Sequence, residues 1–259
     1  MNIFVCVKRV PVTQEIDLQI DSEKTDIKKD MLTHAINEWD NYAVEEAIQI
    51  KEKTEGTVTV ISVGFEEDEE VLRRCLAMGA DRAIRIDPGN IALDAYVVSK
   101  ILSKVINGQE YELVLTGVQS DDYNYGTVGG MLAENLDLAH ATVVNGIAVE
   151  EAGLKVNIEL EGGIEEVSRI NLPALLTIQT GINEPRYVSI MGIRKAAKKE
   201  LSVMRVSDLG LSDDDLERRT IIEEIYMPPE TEGAQILEGD PSSVSEQIIR
   251  IMKEKGVSI

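Results

Sequence analysis

Four apolar runs of strand length, NIFVCV (2–7), TVTVISV (57–63), RAIRI (82–86) and YELVL (111–115), alternate with helical patterns along the first half of the chain. Each run is rich in Val, Ile or Leu and is bounded by polar residues or glycine, as expected of strands buried on both faces. Between them, NYAVEEAIQIKEK (41–53) sets Ala43, Ala47 and Ile50 on one helical face. DEEVLRRCLAMG (68–79) does the same with Val71, Cys75 and Met78 and ends at Gly79, a residue suited to a left-handed cap. IALDAYVVSKILSKVI (91–106) is a third, longer helix. Strand, helix, strand, helix in this order implies right-handed crossovers, so the expected class is α/β with a doubly wound, mostly parallel sheet.

After Asp137 the texture changes. ATVVNGIAVE (141–150), LKVNIEL (154–160), EEVSRIN (165–171) and ALLTIQ (174–179) are strand-like and joined by short turns, which predicts an antiparallel extension of the sheet. Pro173 stands at a strand start, where a missing N–H is tolerated. From Val206 the chain turns polar and acidic until a last amphipathic helix, VSEQIIRIMKEKG (244–256). The expected division is therefore an α/β domain over 1–205 and a C-terminal arm over 206–259, whose helix docks on another surface.

Several classes of function are disfavoured by what the chain lacks. No window approaches the roughly 18 apolar residues of a membrane span, and MNIFVCVKRV runs straight into a strand pattern without the order of a secretory leader, so a cytoplasmic location is expected. Cys6 and Cys75 have no metal-ligand spacing and read as small buried residues. His34 and His140 are more than a hundred positions apart with no nucleophile beside either, which disfavours a hydrolytic triad. A formal charge of −21 argues against nucleic acid. One basic island breaks that trend: Arg194, Lys195, Lys198 and Lys199 lie in IRKAAKK, after the apolar VSIMGI.

Ligands of open parallel sheets bind beyond the carboxyl ends of the strands where strand order reverses. Three segments converge there: Lys8 to Val10, Val63 to Phe65, and the run TGVQSDDYNYGTVGGMLAENL (116–136). Glycines at 117, 126, 129 and 130 permit close backbone approach to a phosphate, and Thr127 to Gly130 would open the next helix, whose free N–H groups attract anions. Asp121 and Asp122 would suit ribose hydroxyls or an adenine amino group. The sheet thus reads as the adenine-nucleotide-binding type, against the plainer alternative of a solvated loop. GTVGG is not a Walker sequence and no GxGxxG follows the first strand, which disfavours a P-loop ATPase or a conventional NAD fold. In INEWDNYAVEEA, Asn37 can cap a helix with Trp39 and Asp40 in its first turn, as a hydrophobic staple or as a further edge of the same pocket.

CVKRVP, NEWDNYAVEEA, LAMGADRA, TGVQSDDYNYGTVGGMLAENL, ELEGGIEEVSRINLPALLTI and NEPRYVSIMGIRKAAKKE together resemble, in order and spacing, the beta subunit of electron transfer flavoproteins. The resemblance implies an alpha subunit that holds the redox-active FAD, with the C-terminal arm docking on that subunit. It also implies an adenine nucleotide in beta, either AMP or, as in electron-bifurcating members, a second FAD at which NADH is oxidised. It carries nucleotide contacts onto Cys6, Asn37, Glu38, Trp39, Asp40, Val63, Gly117, Val118, Gln119, Ser120, Asp121, Asp122, Tyr123, Asn124, Tyr125, Gly126, Thr127 and Val128, mostly through backbone groups. Thr13 stands where AMP-type members resemble one another in an aromatic residue, and VPVT is similar to the bifurcating pattern, as is Asp40. These positions point to a second FAD, with AMP as the alternative. Acyl-CoA dehydrogenases or related dehydrogenases are the implied electron donors, with Tyr187, Ile190, Met191, Arg194, Lys195, Lys198 and Lys199 as the docking segment. Ile190 and Met191 lie in no regular strand or helix pattern. The competing expectation is a nucleotide-sensing module similar to universal stress proteins. No acid-base or nucleophilic constellation supports an independent enzyme.

Overall fold

The computed structural model describes residues 1–30, 32–229 and 233–257. Among these, the chain forms two compact units, Met1–Glu223 and Glu224–Ile259. The first is built on β1 (Ile3–Cys6), β2 (Arg9–Pro11), β3 (His34–Ile36), α1 (Glu38–Thr54), β4 (Val58–Val63), α2 (Glu69–Met78), β5 (Arg82–Asp87), α3 (Ala95–Ile106), β6 (Leu113–Gly117) and α4 (Val128–Leu136). It continues through β7 (Ala139–Glu150), β8 (Gly153–Leu160), β9 (Ile164–Ile170), β10 (Ala174–Ile178), α5 (Ile190–Ala196) and β11 (Leu201–Arg205).

The main sheet runs β11-β5-β4-β1-β6-β10-β7-β8-β9, while β2 and β3 pair antiparallel as a separate ribbon. From β11 to β7 all neighbours are parallel, and β8 and β9 add an antiparallel hairpin. Two steps, β1 to β4 to β5, move one way across the sheet; α3 then carries the chain back to β6, on the other side of β1. That return is the reversal of strand order.

Strand side chains alternate between two cores. Ile3, Val5, Val58, Val60, Leu113 and Leu115 face α1 and α2, whereas Phe4, Cys6, Ile61 and Val114 face α3 and α4. Burial on both faces is why these strands read as continuous apolar runs. Each fully buried Ile or Leu contributes roughly 1.5–3 kcal/mol by leaving water.

Two features depart from the sequence-based expectation. ALLTIQ does not continue the antiparallel run: β10 returns to the middle of the sheet and pairs parallel with both β6 and β7. A strand buried on all five residues belongs in the interior rather than beside a hairpin with a wet face. Val206 is buried in the second core, with Leu209, Leu211 and Leu216 packed against it, so the first unit continues well past the change in composition. In the second unit, α6 (Pro241–Glu254) opens on Asp240, whose side chain accepts from the amides of Ser242 and Ser243, and none of its side chains is buried.

Gly129 shows how tightly α4 sits on the sheet. A Cβ there would lie 2.5 Å from Thr177 Cγ2 and 2.8 Å from Thr116 Oγ1. Gly129→Ala should therefore displace α4 and lower unfolding stability by about 1–3 kcal/mol, measured by chemical denaturation. Unchanged stability would mean the helix has slack at this point.

Candidate functional site

The carboxyl ends of β4, β1 and β6 lie side by side, which brings Val63, Cys6 and Gly117 to one edge of the sheet. β1 and β6 are paired up to Val5 and Leu115, and beyond that pair the two chains separate. Their departing amides need other acceptors. Asp40, in the first turn of α1, supplies both: one carboxylate oxygen accepts from the Lys8 N–H at 2.8 Å and the other from the Gly117 N–H at 3.0 Å. Asn37, fully buried, spans the next step, donating from Nδ2 to the Gln119 carbonyl at 2.8 Å and accepting the Asp121 N–H at 3.0 Å. Its side chain makes no cap bond to α1; it is spent on the loop.

Electrostatics follow from this burial. Asp40 is only 6% exposed, and burial pushes its carboxyl up to about 7, against the pull of Asn37, the two amides and the Lys8 ammonium. Burial, with Asp40 nearby, also raises the Cys6 thiol and keeps it neutral. Lys8 Nζ donates to Asp122 at 2.6 Å and lies 4.4 Å from the centre of the Tyr123 ring. Although burial opposes it, that ammonium holds Asp122 below the usual carboxylate range. Asp121 accepts the Glu38 N–H at 3.3 Å, and Trp39 donates from Nε1 to Gln179 Oε1 at 3.0 Å. The two aspartates expected to meet ribose or adenine are thus held by the protein itself.

Residues 117–128 form a single arch. Val118 still donates to Ile178 on β10, and Asn124 donates to the Ser120 carbonyl. Asn124 and Gly126 take left-handed φ values of 58° and 61°. Tyr123 and Tyr125 stack with centroids 5.8 Å apart. The glycines divide in purpose: a Cβ on Gly117 would lie 2.5 Å from Asp40 Oδ1, so that glycine, like Gly129, makes room for protein rather than phosphate. Gly130 faces open space, and Thr127 leaves the first turn of α4 without a side-chain cap. That uncapped start leaves open amides of the kind that attract an anion. An adjoining cleft of about 250 Å³ between the starts of α3 and α4 is lined by Tyr96, Tyr125, Thr127, Met131 and Arg219. A polar cleft of about 320 Å³ opens at the opposite edge of the sheet, around Asn2, Thr57, Thr59 and Arg82, away from the converging segments. No cluster of metal-ligating side chains occurs among the described residues.

The electron transfer flavoprotein domain matches residues 28–209. The chain is 40% identical to the electron transfer flavoprotein subunit beta of Methylophilus methylotrophus, over 98% of both chains. It is 37% identical to that of Bacillus subtilis over 98% of both chains, and 32% identical to that of Homo sapiens over 99% of this chain and 98% of the human one. The chain belongs to the electron transfer flavoprotein beta-subunit family. This is a flavoprotein family concerned with electron transport, which favours it over the stress-type sensor. No helix among the described residues is long and apolar enough to cross a membrane.

Far from the arch, the segment from Tyr187 to Lys199 stands on α2. Contrary to the irregular reading of its sequence, it contains a helix: Ser189 caps α5 by accepting the Gly192 N–H at 3.1 Å. Seven residues, about two turns, are too short to show a period. Tyr187 is 90% exposed, Ile190 70% and Met191 68%, while Ala196 is buried beneath them. Arg194, Lys195 and Lys198 are exposed. Lys199 is not one of them in function: its Nζ donates to the carbonyls of Leu76 and Ala80, closing the end of α2, and Arg73 donates back to the carbonyls of Ala196 and Lys199. Ahead of the helix, Arg186 grips Glu45 at 2.9 Å and Glu52 at 2.9 Å. Burial raises Glu45, yet Arg186 brings it below the ordinary carboxylate value. Neither Arg186 nor its glutamates was singled out in the sequence, because 141 positions separate Arg186 from Glu45.

Asn37→Ala should leave the Asp121 amide and the Gln119 carbonyl without their partner. We expect a loss of about 1–3 kcal/mol in unfolding free energy and faster proteolysis within 117–128. Unchanged cleavage would show that the arch holds without Asn37.

Proposed function

We propose that this chain is the beta half of a heterodimeric electron carrier, paired with an alpha subunit that holds a redox-active FAD, and that it receives electrons from acyl-CoA dehydrogenases or related dehydrogenases. The observation that carries the docking part is a small apolar tip, Ile190 and Met191, held rigid from both ends. Arg186 fastens the approach to α1, and Arg73 and Lys199 fasten the exit to α2. A preorganised apolar anchor ringed by Arg194, Lys195 and Lys198 suits a hydrophobic pocket with an acidic rim. On a molecule of net charge −21, that island would also orient the encounter. Ile190→Ala should lower the rate of electron transfer from the dehydrogenase by about tenfold or more while flavin content stays constant. Loss of flavin would instead make the segment structural.

The crevice beyond β1 and β6 is proposed to hold an adenine nucleotide, with Cys6 and Val63 contributing backbone, Tyr123 and Tyr125 ring faces, and the first amides of α4 the phosphate site. A flavin, when bound, supplies one- and two-electron exchange; the chain supplies its orientation and its shelter from water. Support for a second FAD rather than AMP is the small Thr13 and the aromatic cleft of Tyr96 and Tyr125 next to Thr127, which extends the space beyond a mononucleotide. Denaturing the purified heterodimer and counting released nucleotides tests this. Two FAD per complex, with direct reduction by NADH, is the expected result. One FAD with one AMP would exclude the bifurcating form.

A further inference from the structure

Asp40 lies among the residues expected to touch the nucleotide, but its surroundings assign it other work. Both carboxylate oxygens are taken, one by the Lys8 amide and one by the Gly117 amide, and the residue is almost closed to solvent. We propose that Asp40 is a positioning residue: it clamps the fork where β1 and β6 part, and so fixes the direction in which the 117–128 arch leaves the sheet, without contacting the nucleotide itself.

Three observations converge on this. The Gly117 amide ends β6 and the Lys8 amide lies two residues past β1; the two strands are paired only as far as Val5 and Leu115, and the Asp40 carboxylate bridges the gap that opens after that pair. Gly117 is required because a Cβ there would fall on the Asp40 carboxylate and on Trp39 Cβ beside it. The residues it holds carry the rest of the arch: the Lys8 carbonyl accepts the Asn37 N–H at 2.9 Å, Lys8 Nζ holds Asp122, and Asn37 holds Gln119 and Asp121. A shift at Asp40 therefore moves the base of the loop and two further contacts along it. Charge strengthens such a clamp, because an ionised carboxylate accepts amides about twice as strongly as a neutral group. The groups facing Asp40 are the Lys8 ammonium, the buried thiols of Cys6 on β1 and Cys75 on α2, and the Asn37 amide. With burial raising Asp40 to about 7, the clamp is tightest above that pH and loosens as the proton returns below it.

The inference rests on the nucleotide reading of the crevice, and the test separates the two. In the complex with its partner subunit, Asp40→Asn keeps the shape but turns an NH2 toward one of the amides. Amide exchange at Lys8 and Gly117, corrected for intrinsic rates, should speed up about tenfold or more. Wild-type protection should decline as pH falls through about 7, and the variant should lack that step. Affinity of the stripped complex for added AMP and FAD should drop by a similar factor. Gly117→Ala, which presses on the carboxylate and on Trp39 while keeping Asp40, should reproduce the exchange phenotype, and it serves as the test if Asp40→Asn does not fold. Unchanged exchange in both variants would overturn the proposal, as would lost affinity with exchange intact, which would make Asp40 a direct contact. Should the wild-type complex bind neither AMP nor FAD, the nucleotide reading fails, while the exchange data still decide whether the clamp exists.

Discussion

A parallel sheet that reverses direction leaves two neighbouring strands with nothing between their carboxyl ends, and the amides there must find acceptors or be lost to the fold. In this chain one buried carboxylate meets that need. Asp40 sits on the first turn of a helix and receives the Gly117 amide at the end of β6 and the Lys8 amide just past β1, which ties the helix to both strand ends. The cost is burial of an acid, visible in its raised pKa. The gain is a fixed direction for the chain that leaves β6.

The same logic sorts the glycines of the arch. A glycine-rich loop at a helix start invites a phosphate reading for every glycine, yet the space beside each one differs. Gly117 yields to the Asp40 carboxylate and Gly129 to Thr177 and Thr116, so both are demanded by protein packing. Gly126 is needed for its left-handed turn, and Gly130 alone opens on free space. Gly130, in the uncapped first turn of α4, is thereby left as the glycine that serves neither a turn nor close packing.

Much of this fold was legible because burial on both faces writes itself as apolar runs, and the helices between them carried clean periods. The convergence of the segments that open at Lys8, Val63 and Thr116 followed from topology alone, whereas Cys6 was reached only through the family resemblance. Register against distant strands did not: β10 is a short, mostly apolar strand that suits an edge or a centre equally well, and only its pairing with β6 and β7 reveals the centre. Asn37 and Asp40 looked like cap and first-turn residues, which they are by position, but their side chains bond across 77 to 84 positions to the loop. Sequence patterns report local geometry, and these bonds are not local. Likewise Val206 and Leu209 carry too few apolar neighbours to signal that the chain still belongs to the core.

The basic island makes the last distinction. Four cations in six residues read as one electrostatic patch, but the structure divides them. Lys199 spends its ammonium on two helix-terminal carbonyls, where it meets the negative end of α2, and burial lowers its pKa. Arg194, Lys195 and Lys198 remain in solvent around Ile190 and Met191. One short stretch thus holds one cation bound into the fold and three that stand free. Docking through such a tip, as proposed above, would be favoured by rigidity, because a tip ordered only on contact would lose side-chain and backbone entropy at that moment. Arg186, Arg73 and Lys199 hold the approach and the exit of the segment against α1 and α2, whereas charges that only steer an encounter need no fixed positions.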